Sequence, residues 1–280
     1  MNSANFRAWR WDGAEIVPHR AGVPLNDRGF RYGQHLFESI AVRKGAALLA
    51  REHLELLATS AKQKGIPFTR NLATMLRKFV NGITVSDGML RIYLTAGEGA
   101  PASPVRTPGL YLSWEQTHFP TWDELQKGME LTILKKPFSG DGWGIKCGNY
   151  EAHLTAMASA RATGAGEGIV LDAVGRVISC TMGNLLAWLP GRSGTTLVTP
   201  PQDRGSRAGA LLDWVKRNQD VVERDLCPTD LQRAAALAVT NSRLGVMPVA
   251  RLERKKLPAP HFALELSQNY LRAHGLLGNA

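Results

Sequence analysis

The chain has 280 residues, 44% of them hydrophobic, and 34 Lys and Arg against 24 Asp and Glu give it a formal charge of +10. That length and apolar fraction suit one large or two medium domains, each able to bury its own core. Three cysteines, Cys147, Cys180 and Cys227, form an odd set without a C-x-x-C pair, which argues against a disulfide framework or a zinc site and leaves no metal site to expect. The basic residues are scattered, so the charge reads as solubility or as a general attraction for anionic ligands. Only Arg251, Arg254, Lys255 and Lys256 form a dense group, in an expected surface loop ending at Pro258. Without aromatic interleaving or a nucleic-acid motif, nucleic acid is not an expected partner. The start, Met1–Arg7, lacks the apolar core of a signal peptide, and no stretch is long and apolar enough to span a bilayer. A cytoplasmic, reducing location without a membrane partner is therefore expected.

In chain order, periodicity predicts strands over Arg7–Val17 and Phe37–Arg43, then helices over Glu52–Lys64 and Asn71–Asn81. Leu54, Leu57, Ala58 and Ala61 recur at helical spacing, and Gly65-Ile66-Pro67 ends that helix. Strands Met89–Leu94 and Gly109–Trp114 follow, and Thr117–Thr121 reads as a linker. The second half alternates strands at 130–134, 169–171, 177–180, 185–189 and 236–239 with helices at 150–163, 208–218 and 262–273. The organisation expected is a smaller α/β domain over residues 1–116, a linker over 117–124 and a larger α/β domain over 125–280 that carries Lys146.

Several motifs lie on this frame. Lys146 stands in Gly144-Ile145-Lys146-Cys147-Gly148-Asn149-Tyr150, followed by Gly168-Ile169-Val170-Leu171-Asp172, Gly175-Arg176-Val177 and Asn184-Leu185. Upstream are Asp27-Arg28-Gly29 with Tyr32-Gly33 and Phe37-Glu38-Ser39, then Arg91 to Gly97; downstream are Thr199-Pro200-Pro201 and Thr240-Asn241-Ser242 through Val249. In this order the blocks resemble the class IV, fold-type IV pyridoxal-phosphate enzymes: branched-chain and D-amino-acid aminotransferases and 4-amino-4-deoxychorismate lyase. Each block is weak alone, and their shared order across most of the chain carries the resemblance.

The resemblance implies a two-domain α/β fold of the D-amino-acid aminotransferase type, with the cofactor, pyridoxal 5'-phosphate, in a cleft between the domains, and a homodimer. It implies Lys146 as the Schiff-base lysine and as proton carrier, with Tyr150 beside the cofactor. A lysine in that role needs a partly desolvated site that favours the neutral, nucleophilic amine. Gly205-Ser206-Arg207-Ala208-Gly209-Ala210-Leu211 resembles the family's phosphate loop, with Ala210 and Leu211 supplying amides at a helix start. Ser39, where the family has threonine, is a candidate proton donor to a leaving group. Arg43, Arg91, Asn241 and Ser242 are candidates for holding a small anionic amine or amino-acid substrate; each arginine reads equally well as a surface strand cation.

Three departures from the pattern stand out. Gln34-His35 replaces the usual Asp-Gly, with His35 read as structural. Leu56 replaces the arginine that the family places against the phosphate, a charge-assisted contact worth roughly 1.5–3 kcal/mol that Arg43, Arg204 or Arg207 would have to replace. Ser179 replaces the glutamate that keeps the pyridine nitrogen protonated, which weakens the ring as an electron sink. Transamination depends on that sink more than an elimination that ends in an aromatic product. The reading that follows is a lyase forming 4-aminobenzoate and pyruvate for folate synthesis. Its alternatives are a class IV aminotransferase acting on D- or branched-chain amino acids, and a divergent member that uses its fold to bind an anion without the cofactor.

Overall fold

A computed structural model describes residues 5–20, 22–137, 144–191 and 194–278; Met1–Ala4, the first part of the stretch read for a leader, lie outside them. Two compact units result, one of residues 1–118 with 145–150, the other of 119–144 with 151–280.

The first unit opens with β1 (Phe6–Trp11) and β2 (Ile16–Pro18), two strands where periodicity alone reads one. The Asp12 carboxylate accepts from the amides of Ala14 and Glu15 at 2.9 Å and turns the chain between them. After α1 (Arg28–Tyr32) come β3 (His35–Arg43), β4 (Ala46–Ala47), α2 (Ala50–Gln63), α3 (Arg70–Asn81), β5 (Gly88–Thr95) and β6 (Gly109–Gln116). The sheet is antiparallel throughout, in the order β2-β1-β6-β5-β3-β4. Leu36 and Ile40 of β3, Leu90, Ile92 and Leu94 of β5 and Leu112 of β6 share one core cluster with Leu54 and Leu57 of α2 and Leu72 and Leu76 of α3. Truncating one of these buried leucines to alanine costs about 2–5 kcal/mol. Helix α3 starts at Thr69, whose hydroxyl accepts from the Leu72 amide.

The segment around Lys146 adds to this sheet. The Phe37 amide donates to the Lys146 carbonyl at 3.0 Å, the Gly148 amide to the His35 carbonyl at 2.9 Å, and Leu36 bridges Cys147. Pairing with β3 thus places Lys146 in the first unit, whereas sequence order puts it in the second domain. A side chain at Gly148 would meet the Gly33 carbonyl oxygen at 2.3 Å, so the close approach needs a glycine.

The second unit begins with α4 (Trp122–Lys127), in a stretch that reads as linker until its capping box is seen: Thr121 accepts from the Glu124 amide, and Glu124 from the Thr121 amide at 2.8 Å. Then follow β7 (Met129–Ile133), α5 (Glu151–Arg161), β8 (Glu167–Leu171), β9 (Val177–Cys180), β10 (Asn184–Gly191) and β11 (Gly194–Thr199). The chain closes with α6 (Ala210–Asn218), β12 (Val221–Glu223), α7 (Pro228–Arg233), β13 (Ala236–Asn241), β14 (Gly245–Leu252), β15 (Lys255–Lys256) and α8 (His261–Ala273). The sheet runs β12-β11-β10-β13-β14-β7-β8-β9, with β15 paired to β14. The basic group at 251–256 is therefore not a loop but the end of β14, a turn with Glu253 at φ 52°, and β15. Among the described residues no helix is long and apolar enough to cross a membrane.

Candidate functional site

In the first unit, alternation along β3 turns Glu38 to the same face as Leu36 and Ile40, the face covered by α2. Glu38 is buried, and so is His53 of α2. The Nδ1 of His53 lies 2.7 Å from the Glu38 Oε2, and the Nζ of Lys146 donates to that same oxygen at 3.3 Å. A buried carboxylate without partners would be costly, and these two groups supply them. The Lys146 side chain is 17% exposed, mostly withdrawn from solvent. Its ammonium lies 5.5 Å from the centroid of the Phe37 ring, and Tyr150 meets that ring edge-on at 5.0 Å.

Ser39 lies on the face of β3 shared with Phe37, half-buried, and is the register partner of Arg91. Arg91 is held by Glu115, and Arg43, at the far end of β3, pairs with Asp87 at 2.9 Å. A substrate carboxylate would have to compete with both acids for these guanidinium groups. Gln34 and His35 serve the backbone around α1. Gln34 Oε1 accepts from Arg28 Nε at 2.8 Å, and His35 Nδ1 sits 3.2 Å from the Gly29 carbonyl. Leu56 is half-buried one turn after His53 on α2.

The second unit contains a polar cluster around the turn after β9. Ser179, 2% exposed, donates its hydroxyl proton to the Gly183 carbonyl at 2.7 Å. With its single proton committed there, the hydroxyl offers lone pairs rather than a donor. The buried Glu167 carboxylate accepts from the amides of Gly168 and Thr181 at 3.0 Å, from that of Met182 at 3.2 Å and from the Thr181 hydroxyl. Burial nonetheless pushes the Glu167 carboxyl above the usual range, with these donors opposing the shift. On α5, His153 Nδ1 lies 2.9 Å from the Thr181 carbonyl; burial lowers its pKa to about 4, with the nearby Arg207 charge acting in the same direction.

Next to this turn lies the glycine-rich loop. Helix α6 begins at Gly209 with no side chain capping it, and Ala210 and Leu211 in its first turn are buried. Buried amides at an uncapped helix start favour an anion. Asn184 ties this helix start to the sheet: its Nδ2 donates to the Arg207 carbonyl at 2.6 Å, and a side chain at Gly209 would meet its Oδ1 at 2.3 Å. Across the sheet from Asn184 is Thr240, 1% exposed, whose Oγ1 has no hydrogen-bond partner. A buried orphan hydroxyl beside uncapped amides fits an oxygen-rich anion such as a phosphate. Arg207 is buried in the same loop and donates from Nη2 to the Met182 carbonyl at 3.2 Å. Asn241 also donates to that carbonyl, at 3.4 Å, and its Oδ1 caps its own turn by accepting from Arg243 and Leu244; Ser242 is half-buried in the turn. Arg204 is drawn to Asp225 and Asp203.

Sequence reasoning had not singled out Glu38, His53, Glu167, His153 or Thr240. The family block Phe37-Glu38-Ser39 contained the first of these, but pairing with a histidine fifteen residues on leaves no local signature.

The family model for amino-transferase class IV matches residues 35–252. The chain is similar to the "Putative branched-chain-amino-acid aminotransferase" of Methanocaldococcus jannaschii, at 24% identity over 83% of each chain. It is also similar to the aminodeoxychorismate lyase of Vibrio harveyi, at 27% identity over 81% of this chain and 86% of that one. The crystal structure of 4-amino-4-deoxychorismate lyase from Pseudomonas aeruginosa superposes with a TM-score of 0.80 at 26% identity, covering 96% of this chain and all of that one. The chain, with its fold-type IV architecture, belongs to the class IV aminotransferase family of pyridoxal-phosphate-dependent aminotransferases and lyases.

Proposed function

We propose that the protein is a pyridoxal-phosphate-dependent lyase that converts 4-amino-4-deoxychorismate to 4-aminobenzoate and pyruvate. The observation that carries the lyase assignment is Ser179: a buried hydroxyl with its proton on the Gly183 carbonyl stands where the family pattern has a carboxylate. The two lyase relatives and the run from Thr240 to Val249 support the same choice. The donor set of each unit suits the cofactor. In the first unit Lys146 is suited to bond an aldehyde; in the second, the Ala210 and Leu211 amides, the Thr240 hydroxyl and the Arg207 charge are suited to a phosphate. Bound, the cofactor supplies an electron sink for the carbon that loses its proton.

The chain's own groups do the rest. Lys146 Nζ would take the proton from C4 of the substrate. The Ser39 hydroxyl, or a water, protonates the departing enolpyruvyl oxygen. The enolpyruvate tautomerises to pyruvate, and ring formation provides the driving force. A weak sink is tolerable here, since the developing charge is drawn into an aromatic product. Transamination has no such outlet.

The test is turnover of 4-amino-4-deoxychorismate followed by pyruvate release, beside transfer from D-alanine and branched-chain amino acids to 2-oxoglutarate. Pyruvate and 4-aminobenzoate in equal amounts are expected, with slow or absent amino transfer. Rapid amino transfer with no 4-aminobenzoate formed from 4-amino-4-deoxychorismate would reject the lyase reading in favour of an aminotransferase.

A further inference from the structure

The proposed reaction needs Lys146 to alternate between a charged and an uncharged amine, and the structure offers a means of setting that balance. Glu38 Oε2 is shared between Lys146 Nζ at 3.3 Å and His53 Nδ1 at 2.7 Å. The carboxylate and the imidazole are both about 95% buried, so the interaction is weakly screened. On the face of the sheet that holds Glu38, its β5 register partner is Ile92, and the α3 residues in this core are Leu72, Leu76 and Val80. These neighbours add no charge. Among the described residues, the elements that carry the trio also bear Cys147 and Tyr150 on the lysine's segment, His35 on β3, and Glu52 on α2, which pairs with Arg51.

We propose that Glu38, held by His53, is a positioning residue that sets the pH at which Lys146 becomes an uncharged nucleophile. The carboxylate favours the ammonium form and anchors it beside β3. The imidazole moderates that effect by donating a hydrogen bond to the same oxygen and dispersing its charge. The two residues therefore act on Lys146 in opposite directions: Glu38 raises the pH at which the amine is released, and His53 lowers it. A role confined to packing has no reason to produce such a pair of signs. The inference rests on the reading of Lys146 as the reactive lysine.

The experiment measures the rate at which limiting acetic anhydride labels Lys146 across pH. The full chain is first freed of carbonyl compounds with hydroxylamine, and exposed Lys62 serves as internal standard. Labelling needs no cofactor, so its outcome is separate from that of the lyase assay. In Glu38→Gln the midpoint should move to lower pH by about one unit or more, the size expected when an adjacent opposite charge is removed. In His53→Phe it should move to higher pH, and His53→Asn, which keeps an N–H near the Nδ1 position, should bring it back toward the wild type. Midpoints that stay put in both Glu38→Gln and His53→Phe, or that move the same way, overturn the proposal. If Glu38→Gln fails to fold, the two His53 variants decide alone: equal midpoints reject the role.

Discussion

His153 should make the protein lose stability in mild acid, through a term that one substitution can isolate. In the folded chain its pKa is lowered to about 4, mainly by burial, from the 6.5 of an unperturbed histidine. Between these values the unfolded chain binds the additional proton. The stabilising contribution is therefore complete above about pH 6.5 and is lost as pH falls toward 4. The full difference is about 3 kcal/mol, and about 2 kcal/mol of it is lost on going from pH 8 to pH 5. Glu167 acts in the opposite sense: its carboxyl is raised, so its contribution is present at acid pH and declines as pH rises past 4.5. His153→Asn removes the first term and leaves the second. The amide keeps a donor for the Thr181 carbonyl that His153 now engages. Urea unfolding of both proteins at pH 8 and pH 5 should show the wild type losing about 0.7 M more in midpoint than the variant, at an m-value of about 3 kcal/mol/M. Equal losses would refute the reasoning, since they would mean that His153 takes up its proton in the fold without cost.

Thr240→Val should remove the orphan hydroxyl, raising the stability of the cofactor-free protein by about 1 kcal/mol while weakening pyridoxal phosphate binding several-fold in a fluorescence titration. If binding is unchanged, Thr240 is not a phosphate ligand. Glu167→Gln places an NH2 group among donors and should cost about 2–3 kcal/mol in urea unfolding at pH 7, because at least one amide of the 181–182 turn loses its acceptor. Ser179→Glu should speed the amino-transfer half-reaction in single turnovers while leaving elimination from 4-amino-4-deoxychorismate nearly unchanged; equal acceleration of both, or of neither, would show the electronic argument to be wrong.

Apolar alternation made β3, β5 and β6 legible in sequence, and the spacing of Leu54, Leu57 and Ala61 located α2 within two residues at its start. Strand β14 was hidden because its end runs into the basic hairpin of Arg251, Arg254, Lys255 and Lys256, which looks like a loop, and α4 because its capping box lies in a stretch that reads as linker. Lys146 could be picked out from its neighbours in the chain. Its place in the first unit could not, because that depends on backbone pairing with β3 across more than a hundred residues. Thr240 escaped notice for a similar reason, since only burial reveals that its hydroxyl lacks a partner. The departures at Leu56 and Ser179 were plain in sequence, but what their neighbours do instead is written in three dimensions.

The account rests on Lys146 as the residue that takes up the cofactor. Its most direct test is borohydride reduction of the full chain after incubation with pyridoxal phosphate, followed by peptide mass mapping. One cofactor per chain, fixed on the peptide that contains Lys146 and lost in Lys146→Ala together with lyase activity, is the predicted result. Label distributed over other lysines, or a Lys146→Ala protein that still turns over substrate, would contradict it.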